Sequence, residues 1–265
     1  MKPMLKGLLE TRILPVERIT VSNRKNAARI HELSKTYGVV ASQNKLADIA
    51  SADIVILAVK PFDMALALQE VRTAISLKQL VISVAAGIST SSVEEQLSDD
   101  IPVIRAMPNT SCFVQASATA ICRGRCAQNG HLEVARQLFS AIGTVSVIDE
   151  RFMDAVTGLS GTGPAYIYYV VEALMEAGKS VGLSEQICRD LLLQTLYGSA
   201  KMLTETGKSP RELRRQVTSP MGTTEAGIAV LDNGIVQQLF LKAVERATER
   251  AIEMGRSFMP GNDSN

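Results

Sequence analysis

Between Val217 and Glu225 the chain places Ser219, Pro220, Gly222, Thr223 and Thr224 in close succession. Serine followed by proline marks a helix start, with the hydroxyl as cap and the proline in the first turn. The free N–H groups of a helix start attract anions, so a carboxylate fits there. Thr223 and Thr224 set hydroxyls beside it; ordinary capping accounts for the same pattern. Ser22, Asn23 and Arg24 offer a hydroxyl, an amide and a guanidinium suited to a phosphate, with Lys25 next in line. A solvated helix start reads the same way. Ala85, Ala86 and Gly87 are small enough for a flat ring or a phosphate to approach the backbone, or simply form a tight turn. Ala58, Val59, Lys60 and Pro61 close an apolar run, and Pro61 opens the next helix, as at any strand-to-helix turn. Other chemistries find little here. His31 and His131 are the only histidines, which argues against a metal site or a Ser-His-Asp arrangement. Cys112, Cys122, Cys126 and Cys188 form no pair of Cys-x-x-Cys motifs and read as thiols of a reducing cytoplasm.

The apolar pattern sets out the scaffold for these groups. The 265 residues are 46% hydrophobic and 21% charged, enough for one or two globular domains with a core. A net charge of +1, no tryptophan and 4% aromatic residues argue against a nucleic-acid partner. No apolar run reaches the ~18–20 residues of a membrane span, and the opening residues lack the pattern of a signal peptide. Strands are expected at Arg18–Ser22, Gly38–Ala41, Asp53–Val59, Gln79–Val84, Val103–Ala106, Ala118–Ile121 and Val145–Ile148. Helices are expected at Asn23–Lys35, Phe62–Ile75, Ser92–Leu97 and Leu132–Ile142. The continuous apolar runs at 53–59 and 79–84 mark strands covered on both faces of a parallel sheet. Strand and helix alternating in this way imply an open α/β sheet.

After residue 150 no strand is expected. Helices fit Ala165–Val181, Glu185–Glu205 with Ser184 as cap, a stretch from Pro210, and Ile235–Met254. The helix over 165–181 is apolar on more than one face, which implies burial and, in so small a helical half, a dimer. The expected architecture is an α/β Rossmann-like dinucleotide-binding domain over 1–149, an all-α dimerisation and substrate domain over 150–257, and a frayed polar tail over 258–265. In open α/β sheets ligands bind outside the carboxyl ends of the strands, where the groups at 22–24, 58–61 and 85–87 fall. Domains selective for NAD usually place Asp or Glu after the second strand; Ser22, Asn23 and Arg24 suit a 2′-phosphate instead.

Taken together these segments resemble the pyrroline-5-carboxylate reductase family. The most specific match is Asp154-Ala155-Val156-Thr157-Gly158-Leu159-Ser160-Gly161-Thr162-Gly163-Pro164-Ala165-Tyr166, joined by Ala58–Pro61, Ala85–Gly87, Met107–Thr110 and Val217–Thr224. The resemblance spans roughly residues 4 to 255. It implies reduction of the imine of 1-pyrroline-5-carboxylate to L-proline with NADPH, or NADH, in the cytoplasm. It also implies a homodimer through the helical domain, in some members a ring of dimers. The cofactor would meet Ser22, Asn23 and Arg24 at its 2′-phosphate end, and Asn44 on the adenosine side. Ala58, Val59, Lys60 and Pro61, then Ala85, Ala86 and Gly87, would line the dinucleotide. Glu150, Ser219, Gly222 and Thr223 would contact substrate, and the Thr224 hydroxyl would bond the ring nitrogen. No metal and no covalent intermediate is required, since the cofactor carries the hydride chemistry.

Two departures stand out. The family opens with a strand, a glycine-rich loop and a helix, and this chain joins that pattern inside the helix, at Met1–Leu9. The expectation is an N-terminally truncated Rossmann-like domain, with the strands near 19–21 and 54–59 facing a gap. Met221 stands where the family usually has a small residue, most often glycine; if that position needs φ > 0, methionine strains it. An impaired paralogue or truncated copy acting as a dimer partner is the alternative these departures suggest. A β-hydroxyacid dehydrogenase with Lys179 or Lys201 as catalytic residue is a further one.

Overall fold

The computed structural model describes residues 2–98 and 100–258, so all but the first residue of the expected tail lies outside it. The chain opens with helix α1 (Lys2–Glu10), a short 3-10 turn, strand β1 (Thr20–Val21), α2 (Ala27–Tyr37), β2 (Val40–Ala41) and α3 (Lys45–Ser51). Then come β3 (Ile54–Leu57), α4 (Met64–Val71), β4 (Leu80–Ser83), α5 (Thr90–Leu97), β5 (Val103–Met107), β6 (Ser117–Arg123), α6 (Asn129–Ser140) and β7 (Gly143–Val147). Helices α7 (Met153–Val156), α8 (Gly163–Ser180), α9 (Glu185–Thr206), α10 (Pro210–Gln216), α11 (Thr223–Leu231) and α12 (Ile235–Arg256) complete it. Among the described residues no strand follows Val147.

The expected strands are present, several shortened at their ends. Their arrangement differs from one parallel sheet in two ways. β1 and β2 pair in parallel as a sheet of their own, while β3-β4-β5-β6-β7 form a second. No ladder joins β1 to β3 among the described residues. An Arg18–Asp53 ion pair of 3.0 Å ties the chain just before β1 to that just before β3. The second difference is direction: β6 runs antiparallel to β5, pairing Ile104 with Arg123 and Met107 with Ala120. Residues 108–116, which join them, hold only a 3-10 turn, too short for the crossover that a parallel pair needs.

All four residues of β4 are buried. Leu80 and Ile82 join Ile104, Ile121, Phe139 and Met4 on one face; Val81 joins Val103, Leu68 and Val93 on the other. Alternation at period two with both faces covered is the pattern of a central strand. Ile54 and Ile56 of β3 are only partly buried, as suits a strand with a partner on one side. Helix α2 is capped by Asn26, whose Oδ1 accepts from the Arg29 amide, so its start lies later than the expected Asn23.

By contacts the chain divides into two compact units, one holding residues up to Pro164 and those from Val244 onward, the other Ala165–Ala243. The boundaries fall inside α8 and α12. Within the second unit Cys188 is the only buried residue. Helix α8, expected to be buried, has no buried residue in the isolated chain and exposes Ile167, Tyr168, Tyr169 and Leu174. No described helix is long and apolar enough to cross a membrane.

Candidate active site

In the sheet-bearing unit, the end of β1 leads into a cavity of about 410 Å³ lined by Ser22, Asn23, Arg24, Lys25, Asn26, Ala27, Ile30, His31, Ala41, Ser42 and Gln43. No acidic side chain borders it. Asn23 shapes the turn, its Oδ1 accepting from the amides of Lys25 (3.1 Å) and Asn26 (2.9 Å). Arg24 Nε lies 3.1 Å from Glu70 Oε1. Asn44 does not line this cavity; it caps α3, its Oδ1 accepting from the Ala47 amide at 3.2 Å. Hydroxyl, amide and cation without a carboxylate in the wall fit a phosphate-bearing nucleoside.

The two turns expected to line a dinucleotide follow β3 and β4. Ala58 and Lys60 are exposed, and Lys60 Nζ stands 5.7 Å from the Phe62 ring centroid. Pro61 opens a 3-10 turn that leads into α4. Ala85 and Gly87 are buried, and Gly87 has φ +77°. A Cβ on Gly87 would sit 2.4 Å from the Ala251 carbonyl oxygen, and one on Gly255 would sit 2.3 Å from that of Gly87. The last turns of α12 therefore pack backbone to backbone on the turn after β4.

Glu150 lies in the same unit. Its carboxylate accepts from the Thr90 amide (2.6 Å) and the Thr90 hydroxyl, and Arg105 approaches at 3.8 Å. Arg105, 3% exposed within β5, donates to Asp154 Oδ1 at 2.6 Å. A buried guanidinium needs such partners, because an unpaired charge in the interior costs several kcal/mol. This network is marked in the sequence only by a charged residue amid an apolar strand, Val103-Ile104-Arg105-Ala106, and by Asp154 in the junction motif. Glu94, buried beside it, accepts from the Arg125 amide at 2.8 Å; burial pushes its carboxyl above the usual range. Asn109 Nδ2 donates to the Ser160 carbonyl at 3.1 Å, within a π-helical turn over Thr157–Gly161. The Met107–Thr110 and Asp154–Tyr166 motifs are thus joined.

In the helical unit, Ser219, Pro220, Met221 and Gly222 form a turn closed by the Gly222 amide donating to the Ser219 carbonyl at 3.1 Å. Helix α11 starts after it, with Gly222 as N-cap. The expectation that Ser219 caps the helix is therefore corrected: proline sits at the first corner of a reverse turn, not in the first helical turn. Met221 has φ +59°, is almost fully exposed, and its amide donates to Glu225 Oε2 at 2.7 Å. A Cβ on Gly222 would meet Ser219 Oγ at 2.5 Å. The amides of Thr223, Thr224 and Glu225 open α11 with no carbonyl one turn below. The geometry offers an anion the start of a helix and, at Thr224, a half-buried hydroxyl.

Residues 150–254 match the profile described as pyrroline-5-carboxylate reductase dimerisation, and residues 2–87 that of NADP oxidoreductase coenzyme F420-dependent. The chain is 40% identical over 251 residues to pyrroline-5-carboxylate reductase 1 of Bacillus spizizenii, covering 95% of this chain and 84% of that protein. The chain belongs to the pyrroline-5-carboxylate reductase family. The Arabidopsis thaliana reductase is 35% identical over 95% of this chain and 91% of its own length. Among solved structures, the pyrroline-5-carboxylate reductase of Coxiella burnetii superposes with a TM-score of 0.89 at 36% identity, covering 96% of this chain and 94% of that one. The Plasmodium falciparum pyrroline carboxylate reductase with NADP bound gives 0.83 at 26%, again over 96% and 94%.

Proposed function

We propose that this chain reduces the imine of 1-pyrroline-5-carboxylate to L-proline, using NADPH and, less favourably, NADH. Its membership of the reductase family carries this reading; the acid-free cavity at the end of β1 supports the phosphorylated cofactor. Ser22, Asn23 and Arg24 hold the 2′-phosphate, Asn44 stands on the adenosine side, and the turns at Ala58–Pro61 and Ala85–Gly87 line the dinucleotide. When bound, the cofactor supplies a hydride to the imine carbon. The residues of this chain bind and orient. The opening amides of α11, with Ser219, Gly222 and Thr223, hold the substrate carboxylate. The Thr224 hydroxyl donates to the ring nitrogen, so that no negative charge develops there as the C=N bond is reduced. Glu150, whose carboxylate accepts from the Thr90 amide and hydroxyl, is a substrate contact in this reading.

Residues 150–257 form the dimerisation and substrate domain, and two copies pair through its exposed apolar faces, with rings of dimers as the larger assembly. The four cysteines are free thiols, in keeping with a cytoplasmic enzyme. The test is oxidation of NADPH, followed optically, with pyrroline-5-carboxylate as substrate. Thr224→Val should lower kcat by about 100-fold with an unchanged melting temperature, and Thr224→Ser should restore most of it. A folded protein that oxidises no NADPH would leave the impaired-paralogue reading in its place. Unchanged turnover in Thr224→Val would remove Thr224 from the mechanism.

A further inference from the structure

Three segments that follow three successive strands converge on one carboxylate. Arg24 comes after β1, Lys45 is the first residue of α3 after β2, and Glu70 sits on α4 after β3. Glu70 Oε1 lies 3.1 Å from Arg24 Nε, and Glu70 Oε2 accepts a hydrogen bond from Lys45 Nζ. The Lys45 hydrogen bond is the main influence holding the Glu70 carboxyl below its usual range, so it is anionic at neutral pH. All three side chains keep solvent access: Arg24 is 45% exposed, Lys45 32% and Glu70 29%. Ion pairs this exposed are worth ~1 kcal/mol or less and exchange partners readily.

The arrangement is a single anion held between a guanidinium and an ammonium, beside a cavity whose own wall carries no acid. A 2′-phosphate would seek the same two cations. We propose that Glu70 is a specificity-determining residue: its carboxylate occupies Arg24 and Lys45 in competition with the 2′-phosphate, and so restrains the preference for the phosphorylated dinucleotide. This rests on the reading of Arg24 as a phosphate partner. A ligand without the 2′-phosphate leaves the Glu70 pairs intact and is indifferent to them. A ligand with it must share or displace the carboxylate, and like charges at that distance repel.

The test is calorimetric titration of the full chain with adenosine 2′,5′-bisphosphate and with adenosine 5′-monophosphate, in the wild type, Glu70→Gln, Glu70→Ala and Arg24→Ala. Both Glu70 variants should bind the bisphosphate about fivefold more tightly at low salt and the monophosphate unchanged, with the gain shrinking as salt is raised. Arg24→Ala should abolish the preference for the bisphosphate. If Arg24→Ala does so while the Glu70 variants leave the ratio unchanged or lower it, Glu70 is no competitor and the inference alone falls. If Arg24→Ala leaves the ratio unchanged, or the wild type does not discriminate, the phosphate reading of the cavity falls and takes the inference with it.

Discussion

Met221 carries a visible cost. At φ +59° it occupies the left-handed region, where a Cβ crowds the following carbonyl. Its side chain is 97% exposed and offsets nothing by packing in the isolated chain. Met221→Gly should therefore raise unfolding free energy by about 1 kcal/mol, read from urea denaturation at fixed protein concentration. A neutral or destabilising outcome would mean that the methionine finds packing in the assembled protein. The strain was legible in the sequence once the resemblance placed glycine there. Ser219 was not, because serine–proline is as good a reverse turn as a helix start, and only the Gly222–Ser219 hydrogen bond decides between them. The partner of Arg24 was also hidden. Glu70 lies 46 residues away by number, on α4, while Arg24 sits in the turn after β1, and nothing local pairs them.

At the scale of elements, β3 and β4 were the clearest strands in the sequence, but covering of both faces holds only for β4, whose four residues are buried, while Ile54, Val55 and Ile56 of β3 are half-buried. Their direction is a different matter. Side-chain period is the same for parallel and antiparallel strands, so β6 looked like its neighbours. The cue was the connection over 108–116, which lacks a helix. The contact between Gly87 and Gly255 had no sequence signature, since each glycine reads locally as a turn or a helix end. Here Gly255→Ala should destabilise the protein by about 1–3 kcal/mol, because its Cβ would fall 2.3 Å from a backbone oxygen that cannot rotate away. Gly130→Ala in α6, where nothing lies within 4 Å, should be neutral or slightly stabilising. Equal effects of the two substitutions in thermal melts would show that the close approach is not what matters at Gly255.

At the scale of the whole molecule, the helical unit cannot account for its own stability. One buried residue among Ala165–Ala243 is far too little core for a unit of that size. Tyr168, Tyr169, Leu191, Leu239 and Leu241 are all largely exposed in the isolated chain, and large apolar side chains exposed in such number fit a unit that pairs with another copy. Folding and association should then be one event. The melting temperature should rise with protein concentration over a hundredfold range, and sedimentation should give no monomer at micromolar concentration. A monomer with a concentration-independent transition would contradict this. The sequence pointed the same way through the apolar faces of α8, whose burial it left to a second subunit.

Because residues on both sides of Ala165–Ala243 belong to one compact unit, the helical unit is an insertion in the chain rather than an appendage. A protease cutting once between the units would leave them in one piece held by the other connection. Synthesis feels the same arrangement in time. The turn at Gly87 leaves the ribosome long before Gly255 exists to pack on it. The sheet-bearing unit thus completes its packing only when nearly the whole chain has emerged, and truncation anywhere within α12 should remove a piece of the first unit as well as the end of the last helix.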